Sequence, residues 1–207
     1  MLSAAETYRD NSDALVELGE IALPSQNKEL IIRLSDRFVE HSSANYTLAA
    51  KTVFSELVGN VTDHSESNIP GLTGLQVYRP YKKPKHIQTI ISDSGLGIAA
   101  TLRTTLQKEH PKLYTMFSEV SVENDIALVQ KAFTSGEVSR FGKGRGLGFK
   151  SSREHASKER VLIVIRQLTF SLALEYSKGQ LIKVSAEPGL IPITGTHICF
   201  DFYVDNF

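Results

Sequence analysis

The last quarter of the chain constrains its fold more than any other stretch. Between Arg160 and Val204 four strand-length runs follow one another: Arg160–Arg166, Thr169–Tyr176, Gln180–Ala186 and Thr196–Val204. Ser177-Lys178-Gly179 supplies a turn between the second and third. A segment so rich in alternating apolar residues forms a sheet, and the sheet needs helices from earlier in the chain to cover it.

Those helices are legible upstream. Ala14–Leu23 alternates crudely and reads as an edge strand behind a tail, so residues 1–23 form an N-terminal unit and 24–207 the main domain. Pro24 and Ser25 start a helix, with Ser25 as N-cap, and Leu30, Ile31, Leu34 and Phe38 carry it at helical spacing to His41. His41 then sits where a partly charged imidazole suits the helix C-terminus. A second helix spans Tyr46–His64, its apolar stripe being Tyr46, Ala49, Ala50, Val53, Leu57 and Val61. A separate polar stripe holds Glu56, Asn60 and Asp63 or His64, stacked on one face by their spacing. Asparagine in mid-helix is unfavourable, so Asn60 asks for a reason.

Ser65–Gly74 reads as a loop, Leu75–Arg79 and His86–Ser92 as strands, and Pro80–Lys85 as a basic turn between them. The second strand ends in Asp93-Ser94-Gly95-Leu96-Gly97, a carboxylate beside a sharp turn without side chains, suited to a flat ligand bearing an exocyclic amine. Ala99–Gln107 and Val122–Phe133 read as helices with Pro111–Val120 a mobile link, and this region is expected to move. Phe141–Gly148 follows, Phe-Gly-Lys-Gly-Arg-Gly-Leu-Gly, ahead of a helix over Phe149–Ala156. Its uncovered amides suit phosphate oxygens near a helix N-terminus.

The 207 residues fit one domain, and 23 basic residues balance 23 acidic ones, so no net field draws the chain to nucleic acid or anionic membrane. Lys82, Lys83, Lys85 and Arg79 read as a solvated turn. No apolar run approaches the ~20 residues that span a bilayer, and Met1–Asp13 lacks the apolar core of a signal peptide. The single cysteine, Cys199, reads as core packing in a buried strand, and a reducing cytoplasm is the simple expectation.

Four of these pieces, in this order, resemble the gyrase, heat-shock chaperone, histidine kinase and MutL superfamily of ATP-binding domains. Glu56-Leu57-Val58-Gly59-Asn60 is similar to its Glu-x-x-x-Asn box and Asp93-Ser94-Gly95-Leu96-Gly97 to its Asp-x-Gly-x-Gly box. Gly144-Arg145-Gly146-Leu147-Gly148 resembles its lid motif, and Gly195-Thr196 the pair opening its final strand. The resemblance covers roughly Pro24 to Tyr203. It implies an α+β two-layer sandwich, helices on one face of a mixed, mostly antiparallel sheet, with ATP between helices and a lid at about 99–148. It further implies that Asn60 binds Mg2+, that Asp93 accepts from the adenine amine with Gly95 and Gly97 forming the turn, and that Thr196 supports the same edge. Gly144, Gly146 and Gly148 would wrap the phosphates with Lys143 and Arg145 beside them, and Glu56 would orient or deprotonate the attacking group.

Leu23-Pro24-Ser25, a helix, and a box ending Asp63-His64-Ser65 look most like the stand-alone branch of anti-sigma-factor serine kinases and related ATPases. Too few residues precede the box for the dimerisation helices of a sensor kinase, and the stretch from Ile98 to Gly142 is longer than in compact anti-sigma kinases. Two functions follow from the resemblance. One is a Mg-ATP-dependent protein kinase or slow ATPase acting with a regulatory partner protein. The other is an ATP-gated binding switch. The oligomeric state stays open, a homodimer included.

Overall fold

The computed structural model of the chain describes residues 15–21, 24–64, 69–79, 84–134 and 154–204. These form an α+β structure around one seven-stranded sheet. In chain order the elements are β1 (Leu15–Ile21), α1 (Pro24–His41), α2 (Thr47–His64), β2 (Gly71–Tyr78), β3 (Lys85–Ser92), α3 (Ile98–Glu109), α4 (Pro111–Phe117) and α5 (Val122–Thr134). Then come β4 (Val161–Leu168), β5 (Phe170–Ser177), β6 (Gln180–Glu187) and β7 (Ile193–Val204). A single 3-10 turn, Ala44–Tyr46, precedes α2.

The strand order is β1-β2-β3-β7-β4-β5-β6. Every ladder is antiparallel, so the described sheet is not mixed as expected. Short links make β2–β3, β4–β5 and β5–β6 hairpins, which reverse the chain. The last strand, β7, returns to the middle and runs opposite to both β3 and β4.

Period two decides which side chains are buried. Val161, Ile163 and Ile165 of β4, Phe170, Leu172 and Leu174 of β5, and Ile198, Phe200 and Phe202 of β7 are buried, while their neighbours in sequence on β4 and β5 are half-buried. One core joins this sheet face to Leu30, Leu34 and Phe38 of α1 and Val53, Phe54, Leu57, Val58 and Val61 of α2. Phe38 meets Phe202 edge-on, with ring centroids 5.0 Å apart, which clamps α1 onto β7. A fully buried side chain of this size contributes about 1.5–3 kcal/mol. At the sheet edge, Glu17 of β1 accepts from Arg33 of α1 and lies 3.7 Å from Arg37, so the edge strand is tied to a helix.

Several boundaries differ from the sequence reading for local reasons. Ser25 lies inside α1 because Pro24 already occupies its first turn, where a missing N–H costs nothing. β2 begins at Gly71, because a Cβ there would lie 2.6 Å from Val61 and 2.9 Å from the Ser92 carbonyl, and only glycine lets α2 approach so closely. Pro111–Phe117 is a helix rather than a link. Gly195-Thr196 lies inside β7, two residues past its start.

The region expected to move begins with three anchored helices. Leu106 of α3, Phe117 of α4 and Leu128, Val129 and Phe133 of α5 are buried in the common core. Arg103 of α3 binds all three helices together: it donates to the carbonyls of Phe117 (2.7 Å) and Glu119 (3.2 Å) and meets the Asp125 carboxylate at 2.5 Å. The rest of the expected lid, including Gly144, Arg145, Gly146, Leu147 and Gly148, lies outside the described residues.

His41 and Cys199 also differ from expectation. Lys85 donates to the His41 carbonyl, so an ammonium group caps the C-terminus of α1. Burial, and then the Lys85 charge, hold the His41 imidazole below its ordinary range, which outweighs the helix end that would have kept it charged. Cys199 is half-buried on the sheet face opposite Ile198 and Phe200 rather than in the core. Burial, and then Asp201, push its thiol up to about 12, so it is unreactive for the reason expected of a core thiol.

Candidate functional site

The site is built where β3 ends. Because β7 lies beside β3, residues far apart in sequence meet there: the Asp93 amide donates to the Thr196 carbonyl at 2.9 Å, and the Thr196 amide donates to Asp93 Oδ1 at 3.3 Å. The Gly95 amide donates to the same Oδ1 at 2.7 Å, closing the turn after the strand. Asp93 Oδ2 takes no hydrogen bond from any described residue. One oxygen thus fixes the carboxylate and the other remains an acceptor.

Two glycines make the corner possible. At Gly195, φ is +80°, and a Cβ would lie 1.9 Å from the Asp93 carbonyl oxygen, so no other residue fits. Gly97, at φ +85°, starts α3 and faces Gln167, whose amide nitrogen would lie 2.5 Å from an added Cβ.

Gln167 is the residue that sequence reading missed. It is fully buried, sits opposite Thr196 in the β4–β7 ladder, and accepts through Oε1 from the Ile98 amide at 3.1 Å. Its Nε2 is buried without a partner among the described residues. By joining the first amide of α3 to the centre of the sheet, it holds the turn at Asp93 in place. A signal was present: alternation from Val161 puts Gln167 on the inward face, where an amide needs a purpose.

α2 brings its polar stripe to the same end of the sheet. Val61 packs over Gly71 and next to the Ser92 carbonyl, which sets the last turns of α2 beside the end of β3. Asn60 precedes Val61 and is half-buried; its Nδ2 is covered and has no partner among the described residues. Glu56, one turn earlier, is half-buried, and no described residue pairs with its carboxylate. α1 braces this helix through Asn27, whose amide donates to Thr62 Oγ1 at 3.0 Å. Asp93, Gly95, Gly97 and Thr196 are therefore brought together, with Asn60 and Glu56 on the helix alongside. The glycine run lies outside the described residues.

A second polar cluster lies on the other sheet face. His86 Nδ1 and Asp201 Oδ1 are 2.9 Å apart and buried, with the Tyr78 and Tyr203 rings 4.9 and 4.4 Å from the imidazole. Burial and the Asp201 charge raise both tyrosines. The Cys199 thiol lies on the same face, but burial and the Asp201 charge hold it protonated, and the contacts of the pair are those of a satisfied structural network.

No family model matches the chain, and no curated protein matches it significantly. No described helix is long and apolar enough to cross a membrane.

Proposed function

We propose that the chain is a Mg-ATP-binding regulatory domain of the histidine-kinase-like ATPase fold, acting in the cytoplasm as a protein kinase or slow ATPase with a partner protein. The observation that carries this reading is the Asp93 corner. A carboxylate locked by the Gly95 and Thr196 amides, with its second oxygen unused by any described residue, suits an exocyclic amine on a flat base. The four motifs of the ATP-binding superfamily point to the same ligand.

The residues fit a magnesium ion bound mainly through its nucleotide. Among the described residues no three His, Cys, Asp or Glu side chains converge to hold a metal. Mg2+ commonly keeps waters and phosphate oxygens and takes only one or two protein oxygens, a role open to the Asn60 amide. Bound Mg-ATP would supply the phosphoryl group. Glu56 would take the proton from a partner hydroxyl or from water, and the Gly144–Gly148 amides with Arg145 would neutralise the phosphates.

Asp93→Asn loses a charge-assisted bond worth about 1.5–3 kcal/mol, so calorimetry should show ATP affinity falling by roughly ten- to a hundredfold. Unchanged affinity would remove Asp93 from the site. In Glu56→Ala, ATP still binds while phosphate release or labelling of the partner collapses. A wild type that releases no phosphate and labels no partner, with partner capture surviving in Glu56→Ala, assigns the chain to the switch class instead.

A further inference from the structure

We propose that the outer edge of β6 is a self-association site, at which two copies of the chain pair antiparallel about a two-fold axis with Ser185 at its centre. β6 ends the sheet and pairs with no described strand except β5. All eight of its residues are exposed, including Ile182 at 59%, Leu181 at 39% and Val184 at 37%. The cover over the sheet stops one strand earlier: Leu172 and Leu174 of β5 are fully buried, whereas their ladder partners Ala186 and Val184 are exposed. A strand approaching β6 from outside meets open backbone donors and acceptors and an uncovered apolar row.

The charge pattern selects a second copy of the chain as that strand. In a two-fold antiparallel pair, opposed residues must point to the same face and both use their outer edge, so the axis passes through a residue and not between two. An axis at Lys183 would oppose that lysine to itself, which is repulsive. An axis at Val184 would place Leu181 against Glu187 and carry the pairing across the register shift beside Glu175 and Tyr176. An axis at Ser185 opposes Lys183 to Glu187 twice and Val184 to Ala186 twice. Lys183 is available for this. Its inner neighbour Glu175 is paired with Arg160 at 3.1 Å, and no described residue forms an ion pair with Lys183. The contact is isologous, and the joined sheet runs continuously through both copies.

The test is sedimentation equilibrium on the full chain over a concentration series without nucleotide. The wild type should show a reversible monomer–dimer equilibrium. Lys183→Glu and Glu187→Lys each replace two attractions by two repulsions and should weaken association by about tenfold or more. An equimolar mixture of these two variants should dimerise as the wild type does, since every facing pair is then opposite in charge. The double variant should do the same. Circular dichroism verifies that each exposed substitution leaves the fold intact. A wild type that stays monomeric throughout, single variants that associate like it, or a mixture no better than its components would overturn the proposal. The nucleotide reading is tested separately, because Asp93→Asn should dimerise normally.

Discussion

At the scale of single residues, the candidate site depends on Gly195 as much as on Asp93. Its backbone has φ +80°, and the Asp93 carbonyl occupies the space a side chain would need. Gly195→Ala should therefore cost about 2 kcal/mol or more in urea unfolding, from strain and from displacement of the β3–β7 contact. Gly179 is the control. It has the same φ of +80°, but nothing lies within 4 Å of an added Cβ, so Gly179→Ala should show backbone strain alone, about 1–2 kcal/mol. Equal costs at the two positions would refute the steric role of Gly195. Asp93, Gly95 and Gly97 were legible because their chemistry is local: an acid and two glycines crowd one turn. Gln167 was not, because its purpose arises only when β4 lies against β7 and α3 starts above it.

Among the elements, one helix end and one ion pair between helices carry testable electrostatics. At α1, the His41 pKa is lowered in the folded chain from its ordinary 6.5 by burial and by Lys85. The native state then holds fewer protons than the unfolded one below about pH 6.5, so this contribution to stability is present above that pH and is lost on acidification through the lowered value. Thermal melts between pH 8 and pH 5 should show a smaller loss for His41→Gln than for the wild type; equal losses would remove His41 as a cause. At α3, the Arg103 and Asp125 side chains are 11% and 8% exposed. Arg103→Met strands a buried carboxylate and should cost about 3–5 kcal/mol. Arg103→Met with Asp125→Leu should recover much of that loss. A double variant as unstable as the single one would place the cost in the lost carbonyl contacts. Helical period identified α1, α2 and α5 because each has an apolar stripe. It left Pro111–Phe117 as a link because seven residues with one buried side chain, Phe117, show too little period to read.

For the molecule as a whole, the position of β7 matters most. It is last in sequence and central in space, so the sheet's two halves, β1-β2-β3 and β4-β5-β6, meet only through it. Truncation before Ile193 should abolish cooperative unfolding and the near-ultraviolet circular dichroism of the packed core. A truncated chain with a sharp, native-like transition would show that the halves cohere by other means. Sequence alone determined what depends on near neighbours: the strands and their inward faces, the long amphipathic helices, the balanced charge, and the acid-glycine turn at Asp93. Tertiary structure decided what depends on distant pairing. It inserted β7 between β3 and β4, joined Thr196 to Asp93, gave Gln167 its place, and left β6 uncovered. Period and turn chemistry act over a few residues, whereas strand order is chosen by the packing of one shared core, which no local pattern encodes.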